Sequence, residues 1–163
     1  MTLAQFARMF DRSVRDLERD MPDLVAGMAN DTMALVQERI QTKGMSANGS
    51  RLKAYTVAYG NFKKNPKKYK RGQELGLASS RLTGVTDYTL TGRMWADIRV
   101  LRLDTNGSSI RAIVGASKSE NVAKLKSLQK RDGVNPLRPT KEELAIAKDN
   151  LKENILSYFN YIQ

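Results

Sequence analysis

Over the first forty residues, apolar side chains recur in alternating steps of four and three. Leu3, Ala7, Phe10, Val14, Leu17, Met21, Leu24 and Met28 fall on one stripe, and Leu35 keeps its phase beyond Asp31. That spacing predicts an amphipathic helix over 2–40. Thr2 followed by Gln5 fits a capping box at its start. Pro22 lacks an amide hydrogen and crowds the preceding turn, so it either kinks one helix or divides two. The unbroken stripe favours one long, kinked helix whose apolar seam belongs to an internal core rather than to a coiled coil.

The stretch GMSANG, residues 44–49, closes this helix, and little sustained period follows as far as Tyr88. Within RLKAYTVAYG, Tyr55, Val57 and Tyr59 would share one face of a short strand. The next stretch, NFKKNPKKYKRGQELG, is basic and broken by proline and glycine. An irregular run of roughly 40 residues is unusual inside a compact domain. Residues 44–88 are therefore expected to form an extended basic arm.

Thr91 is a good N-cap for a short helix over Gly92–Asp97, with Trp95 and Ile98 on one side. Beyond it, Ile98, Val100 and Arg102 alternate with Arg99, Leu101 and Leu103. Ile110, Ala112 and Val114 then alternate with Arg111 and Ile113. Asn106-Gly107 between the two runs supplies the backbone angles of a tight turn, which predicts a β-hairpin. Because apolar residues occur in both phases, both faces should be partly covered. Ser117 and Glu120 suggest a second capping box, opening a helix lined by Val122, Leu125 and Leu128 and ended by Gly133. Thr140 and Glu143 suggest a third, opening a last helix with Leu144, Ala147, Leu151, Ile155 and Phe159 on one face. The fold class is α+β: a long N-terminal helix, a basic arm, a small antiparallel sheet and C-terminal helices.

A chain of 163 residues favours a single domain, 1–163, divided into a helical N-terminus (1–43), the arm (44–88), and the hairpin with C-terminal helices (89–163). No apolar run approaches the roughly 18 residues of a membrane span, and the N-terminus lacks the pattern of a signal peptide. With no cysteine and no histidine, thiol chemistry, thiolate zinc sites and imidazole bases are all excluded. Asp11, Asp16, Glu18, Asp20 and Asp23 scatter around a helix rather than converge on an ion. The GASKS stretch at 115–119 lacks the glycine and Gly-Lys-Ser order of a phosphate loop. Neither enzyme activity nor a cofactor is expected.

Charge changes the picture more. The formal net charge is +11, and eight cations (Arg51, Lys53, Lys63, Lys64, Lys67, Lys68, Lys70 and Arg71) lie in one acid-free segment. Such a cluster suits DNA or an acidic protein partner, or equally a solvated, mobile loop kept soluble by its lysines; interleaved Phe62 and Tyr69 offer rings for base stacking.

The segment Leu90-Thr91-Gly92-Arg93-Met94, followed by Ile98 and a hairpin, resembles the L-T-G-x-[LM]…I core of tailed-phage tail-completion proteins. These are also called virion morphogenesis, neck or head–tail connector proteins. Leu128-Gln129 with Gly133 is similar to that family's aromatic-His-Gln-x-Gly turn, the histidine being absent. Pro136-Leu137-Arg138-Pro139 before Glu143 is similar to its P-x-R-P approach to the last helix, without the usual Phe-Leu. The order of these motifs extends over almost the whole chain. The resemblance implies a virion protein of the neck, assembled in the host cytoplasm as a homo-oligomeric ring joining portal and adaptor to the tail. DNA would pass through the lumen, and no membrane would be involved. It also makes Thr91, Gly92, Met94, Trp95 and Ile98 an architectural hinge between arm and sheet. The alternative is a small basic protein that binds nucleic acid without sequence preference.

Overall fold

The computed structural model describes residues 2–74, 76, 86–89, 92–107 and 109–160. It is α+β, with a long N-terminal helix, a two-stranded antiparallel sheet and C-terminal helices. Helix α1, Leu3–Glu38, begins at a capping box in which the Thr2 amide donates to Gln5 Oε1 (2.8 Å) and the Gln5 amide to Thr2 Oγ1 (3.2 Å). It runs unbroken through Pro22, so there is one helix and not two. A π turn, Arg39–Lys43, leads to Gly44 in the left-handed region.

The last helix, α6 (Lys141–Ser157), starts at the predicted Thr140–Glu143 box and packs antiparallel on α1. At its start, Glu143 Oε1 accepts from Arg39 Nε at 2.7 Å. Beyond its end, the Tyr158 hydroxyl donates to Asp20 Oδ2 at 3.0 Å, and the Phe159 and Phe10 rings lie 5.7 Å apart. Ala147 is fully buried along the seam. At 1.5 Å per residue α1 is about 54 Å long and α6 about half that, so α6 cannot cover all of α1. The first turns of α1 extend past it with Leu3 (85% exposed), Phe6, Met9 and Phe10 accessible to solvent.

The core lies at the other end of α1. Val36 and Ile40 pack there with Met94 and Trp95, joined by Met33, Leu52, Tyr88, Ile98, Leu125, Leu128 and Leu137. Met94 and Trp95 sit on α4, Arg93–Ala96, whose cap position is held by Gly92 at φ 72°. The predicted cap, Thr91, lies outside the described residues.

The hairpin pairs β1 (Ile98–Asn106) with β2 (Ser109–Ala116), turning at Gly107 with φ 57°. A bulge between Val100 and Arg102 corrects the expected alternation. Before it, Ile98 and Val100 face Ala116 and Val114; after it, Leu103 and Thr105 face Ala112 and Ile110. One extra residue, Leu101, thus moves Leu103 onto the apolar face and places Arg102 beside Arg99 on the other. The two-phase sequence pattern arises largely from this slip.

Two further expectations change. Tyr55, Val57 and Tyr59 do not form a strand: Thr56 caps a helix, α2 (Val57–Lys64), which leaves Val57 82% exposed. Tyr55 and Tyr59 are then one turn apart, with ring centroids separated by 4.9 Å. Helix α5, Ser119–Asp132, does not use the Ser117–Glu120 box. Asp97 replaces it, accepting from the Lys118 amide (2.9 Å), Asn121 Nδ2 (2.9 Å) and the Ser117 hydroxyl. A carboxylate at the foot of β1 gives a stronger acceptor than serine for an orphan helix amide.

Candidate functional site

The basic segment is folded rather than extended as far as residue 74. After α2 come a 3-10 turn (Pro66–Lys68) and α3 (Lys70–Glu74). These two are pressed together at Gly72, where a Cβ would lie 2.0 Å from the Pro66 carbonyl oxygen; only glycine permits that approach. Gln73 Nε2 ties the unit by donating to the Lys67 carbonyl at 2.7 Å. Phe62 and Tyr69 pack edge to face at 5.4 Å, and Phe62 also touches Tyr59. Phe62 is thus packed between Tyr59 and Tyr69, while Tyr69 keeps 42% of its surface exposed.

Lys63 is a second correction. Its side chain is fully buried, and Nζ lies 2.6 Å from Asp87 Oδ1 and 4.8 Å from the centroid of the Tyr55 ring. The Tyr55 hydroxyl (2.7 Å) and the Thr89 amide (3.0 Å) donate to the same oxygen. Burial acts to raise the Asp87 carboxyl, but the bonds from Lys63, Tyr55 and Thr89 outweigh it and hold it below the ordinary carboxylate value. Tyr55 is pushed upward by burial and by the adjacent carboxylate. Lys63 is thus a structural cation that anchors the basic segment to residues 86–89. Arg51, Lys53, Lys64, Lys67, Lys68, Lys70 and Arg71 remain exposed. The Lys53 backbone is fixed, its amide donating to Asp132 Oδ1 (3.0 Å) and its carbonyl accepting from Thr86 (2.9 Å).

Between this unit, α4 and α5 lies a cavity of about 780 Å³. Tyr55, Tyr59 and Tyr88 form one wall, Met94, Trp95 and Leu128 an apolar one, and Arg71, Arg93, Lys124 and Arg131 bring positive charge. Glu120 is the acid on the lining. The Arg131 guanidinium lies 5.2 Å from the Tyr88 ring centroid and 6.0 Å from that of Tyr55. Its Nε donates to Asp132 Oδ2 at 3.0 Å; Nη2 approaches the same oxygen without hydrogen-bond alignment. The Tyr88 hydroxyl also donates to Asp132. Trp95 keeps a solvent-shielded indole N–H with no acceptor among the described residues.

Of the predicted hinge, Met94 and Trp95 are buried, Ile98 is half-buried at the start of β1, and Gly92 reaches the cavity. Asp87, Asp97 and Asp132 were not singled out by the sequence, although each organises a junction. Their signal was rarity: residues 44–139 hold 19 Lys or Arg against 6 Asp or Glu. An isolated acid in such a background is a strong candidate for an internal ion pair. Among the described residues no group of three or more acids could hold a metal ion, and no helix is long and apolar enough to cross a membrane.

The chain matches no family model, no curated protein and no solved structure.

Proposed function

We propose that this chain is a structural virion protein of the tailed-phage head–tail junction, a neck or tail-completion ring subunit joining portal and adaptor to the tail. The order of the Thr-Gly, Gln-Gly and Pro-Arg-Pro motifs supports the assignment. The structural observation that carries its assembly role is the overhang of α1. A helix that extends Leu3, Phe6 and Met9 beyond its intramolecular partner has an apolar end to bury on a neighbouring copy. Joining one surface to a different surface of the next copy is how rings close. The test is antibody labelling of particles of the encoding phage, together with deletion of the gene. Label at the junction, and filled heads separated from tails in the deletion, are expected. Normal joined particles without the protein would refute the assignment.

A second reading, nonspecific nucleic-acid binding, is favoured by the seven exposed cations between Arg51 and Arg71. Each phosphate contact contributes about −0.9 to the slope of log affinity against log salt. Neutralising Lys67, Lys68, Lys70 and Arg71 together to glutamine should therefore flatten that slope by up to about 3.6 on duplex DNA. An unchanged slope would remove this reading.

A further inference from the structure

We infer that the cavity between the basic segment and α5 binds an acidic peptide segment of a partner protein, a carboxylate next to an apolar side chain. The lining's polar capacity points to this class. Two of the three tyrosine hydroxyls on the lining are already engaged, Tyr55 donating to Asp87 and Tyr88 to Asp132. Tyrosine faces are also taken: Arg131 lies over both Tyr55 and Tyr88, and Lys63 over Tyr55. A nucleobase seeking a stacking partner would have to displace those cations.

What remains is predominantly cationic, set against the carboxylate of Glu120. Arg71 is exposed and makes no ion pair among the described residues, and Arg131 has a guanidinium N–H without an aligned acceptor. Lys124 donates to Asn121 but retains further N–H groups. The Trp95 indole lacks an acceptor among the described residues. A negatively charged acceptor complements the cations on this lining, and a carboxylate does so in the planar geometry that guanidinium prefers. The apolar wall of Met94, Trp95 and Leu128 then provides for the neighbouring side chain of the same peptide. This site is independent of any place in a virion, since it rests on the cavity's chemistry alone.

The chain reports on the site itself, because Trp95 is its single tryptophan and gives one indole N–H resonance in an ¹⁵N correlation spectrum. The full-length protein is titrated with the peptide acetyl-Glu-Leu-Asp-Phe-amide and with its neutral counterpart acetyl-Gln-Leu-Asn-Phe-amide. The acidic peptide is expected to move the indole peak downfield along a saturable curve, and the neutral one to bind at least about tenfold more weakly. Arg131→Met should abolish the shift, though it also removes a packed side chain. Arg71→Gln, at an exposed position, should fold as the parent does and weaken binding about three- to tenfold. An indole peak unmoved by millimolar acidic peptide would overturn the inference. So would a shift produced equally by inorganic phosphate, or by an oligothymidylate in place of the peptide. Movement with protein concentration alone would assign the cavity to a second copy, and would overturn it as well.

Discussion

Replacing Lys63 with methionine separates a buried structural cation from a surface one. In the native chain the Lys63 and Asp87 side chains are 0% and 9% exposed and meet at 2.6 Å. Methionine keeps most of the volume and removes the charge, leaving Asp87 ionised in a largely dry site. Removing one partner of such a pair typically costs about 3–5 kcal/mol. Here Tyr55 and Thr89 still donate to the same carboxylate oxygen, so the lower end, about 3 kcal/mol, is expected. For a chain of this size that lowers Tm by about 6–12 °C. The pH dependence carries a second signature. Asp87 is held below its ordinary value in the parent, so its contribution is present above the unfolded value and fades as pH falls through the folded one. Without Lys63, burial is opposed only by the bonds from Tyr55 and Thr89, so the carboxyl rises relative to the parent; the variant's penalty is then greatest near neutrality and is relieved as the group protonates. The deficit between parent and variant should therefore shrink on acidification. Urea denaturation followed by circular dichroism measures it, with exposed Lys64→Met expected within about 0.5 kcal/mol of the parent. Adding Asp87→Asn to Lys63→Met should return most of the loss. If Lys63→Met behaves like Lys64→Met at neutral pH, the pair is not buried and the account of the basic segment is wrong.

Three more perturbations probe the joints of the fold. Gly72→Ala drives a Cβ into the Pro66 carbonyl, and should cost more than the roughly 1–3 kcal/mol of ordinary overpacking while speeding amide exchange over residues 66–74. Arg39 links three segments, with Nε on Glu143, Nη1 on the Met45 carbonyl (2.6 Å) and Nη2 on the Arg138 carbonyl (3.0 Å); Arg39→Lys should not replace it, because a single ammonium lacks the planar fork, and a lowered urea midpoint is the expected result. Asp97 is held well below its ordinary value by bonds from Ser117, Asn121 and the Lys118 amide, so its contribution is present above about pH 4 and lost as acidity passes the depressed folded value. Asp97→Ala should lower the midpoint at neutral pH and flatten its dependence on acidification, measured from pH 7 downward.

The legible parts of the fold were those written in local chemistry. Thr2–Gln5 and Thr140–Glu143 cap the two helices as their spacing indicates, and the hairpin turns at Gly107, one residue later than the Asn106-Gly107 pair suggested, with Asn106 closing β1 against Ser109. The failures came where a distant partner replaced the local one. Ser117 yielded its capping role to Asp97, twenty residues earlier, because a carboxylate outcompetes a hydroxyl for an orphan amide. The alternation of Tyr55, Val57 and Tyr59 suits a strand and, through the one-turn spacing of Tyr55 and Tyr59, equally a helix. Thr56 and the aromatic run to Phe62 and Tyr69 decided for the helix. Leu101 could not be read as a bulge, since an extra residue only shows itself against its partner strand. At the candidate site, the charge of the basic segment was visible but the inward turn of Lys63 was not, because Asp87 lies 24 positions away.

Burial of the acids leaves the surface more one-signed than the composition suggests. Asp87, Asp97 and Asp132 account for half of the six acids in residues 44–139, and all three are consumed by internal bonds. Residues 1–43, by contrast, carry six cations against seven acids, and residues 140–163 three against four. The molecule therefore has a nearly neutral helix pair with an apolar overhang, and a cationic body some distance along it. On the proposed function, contacts with further copies and contacts with anions fall at different ends, and their perturbations should be independent. Leu3→Ser with Phe6→Ser should reduce self-association by light scattering, and leave binding of a duplex oligonucleotide by the monomer unchanged. Glutamine at Lys67, Lys68, Lys70 and Arg71 should do the reverse. The six substitutions combined should show both losses at their separate sizes. A combined loss of DNA binding far beyond that of the four alone would mean that anion binding requires the assembled form, and that the two ends act as one surface.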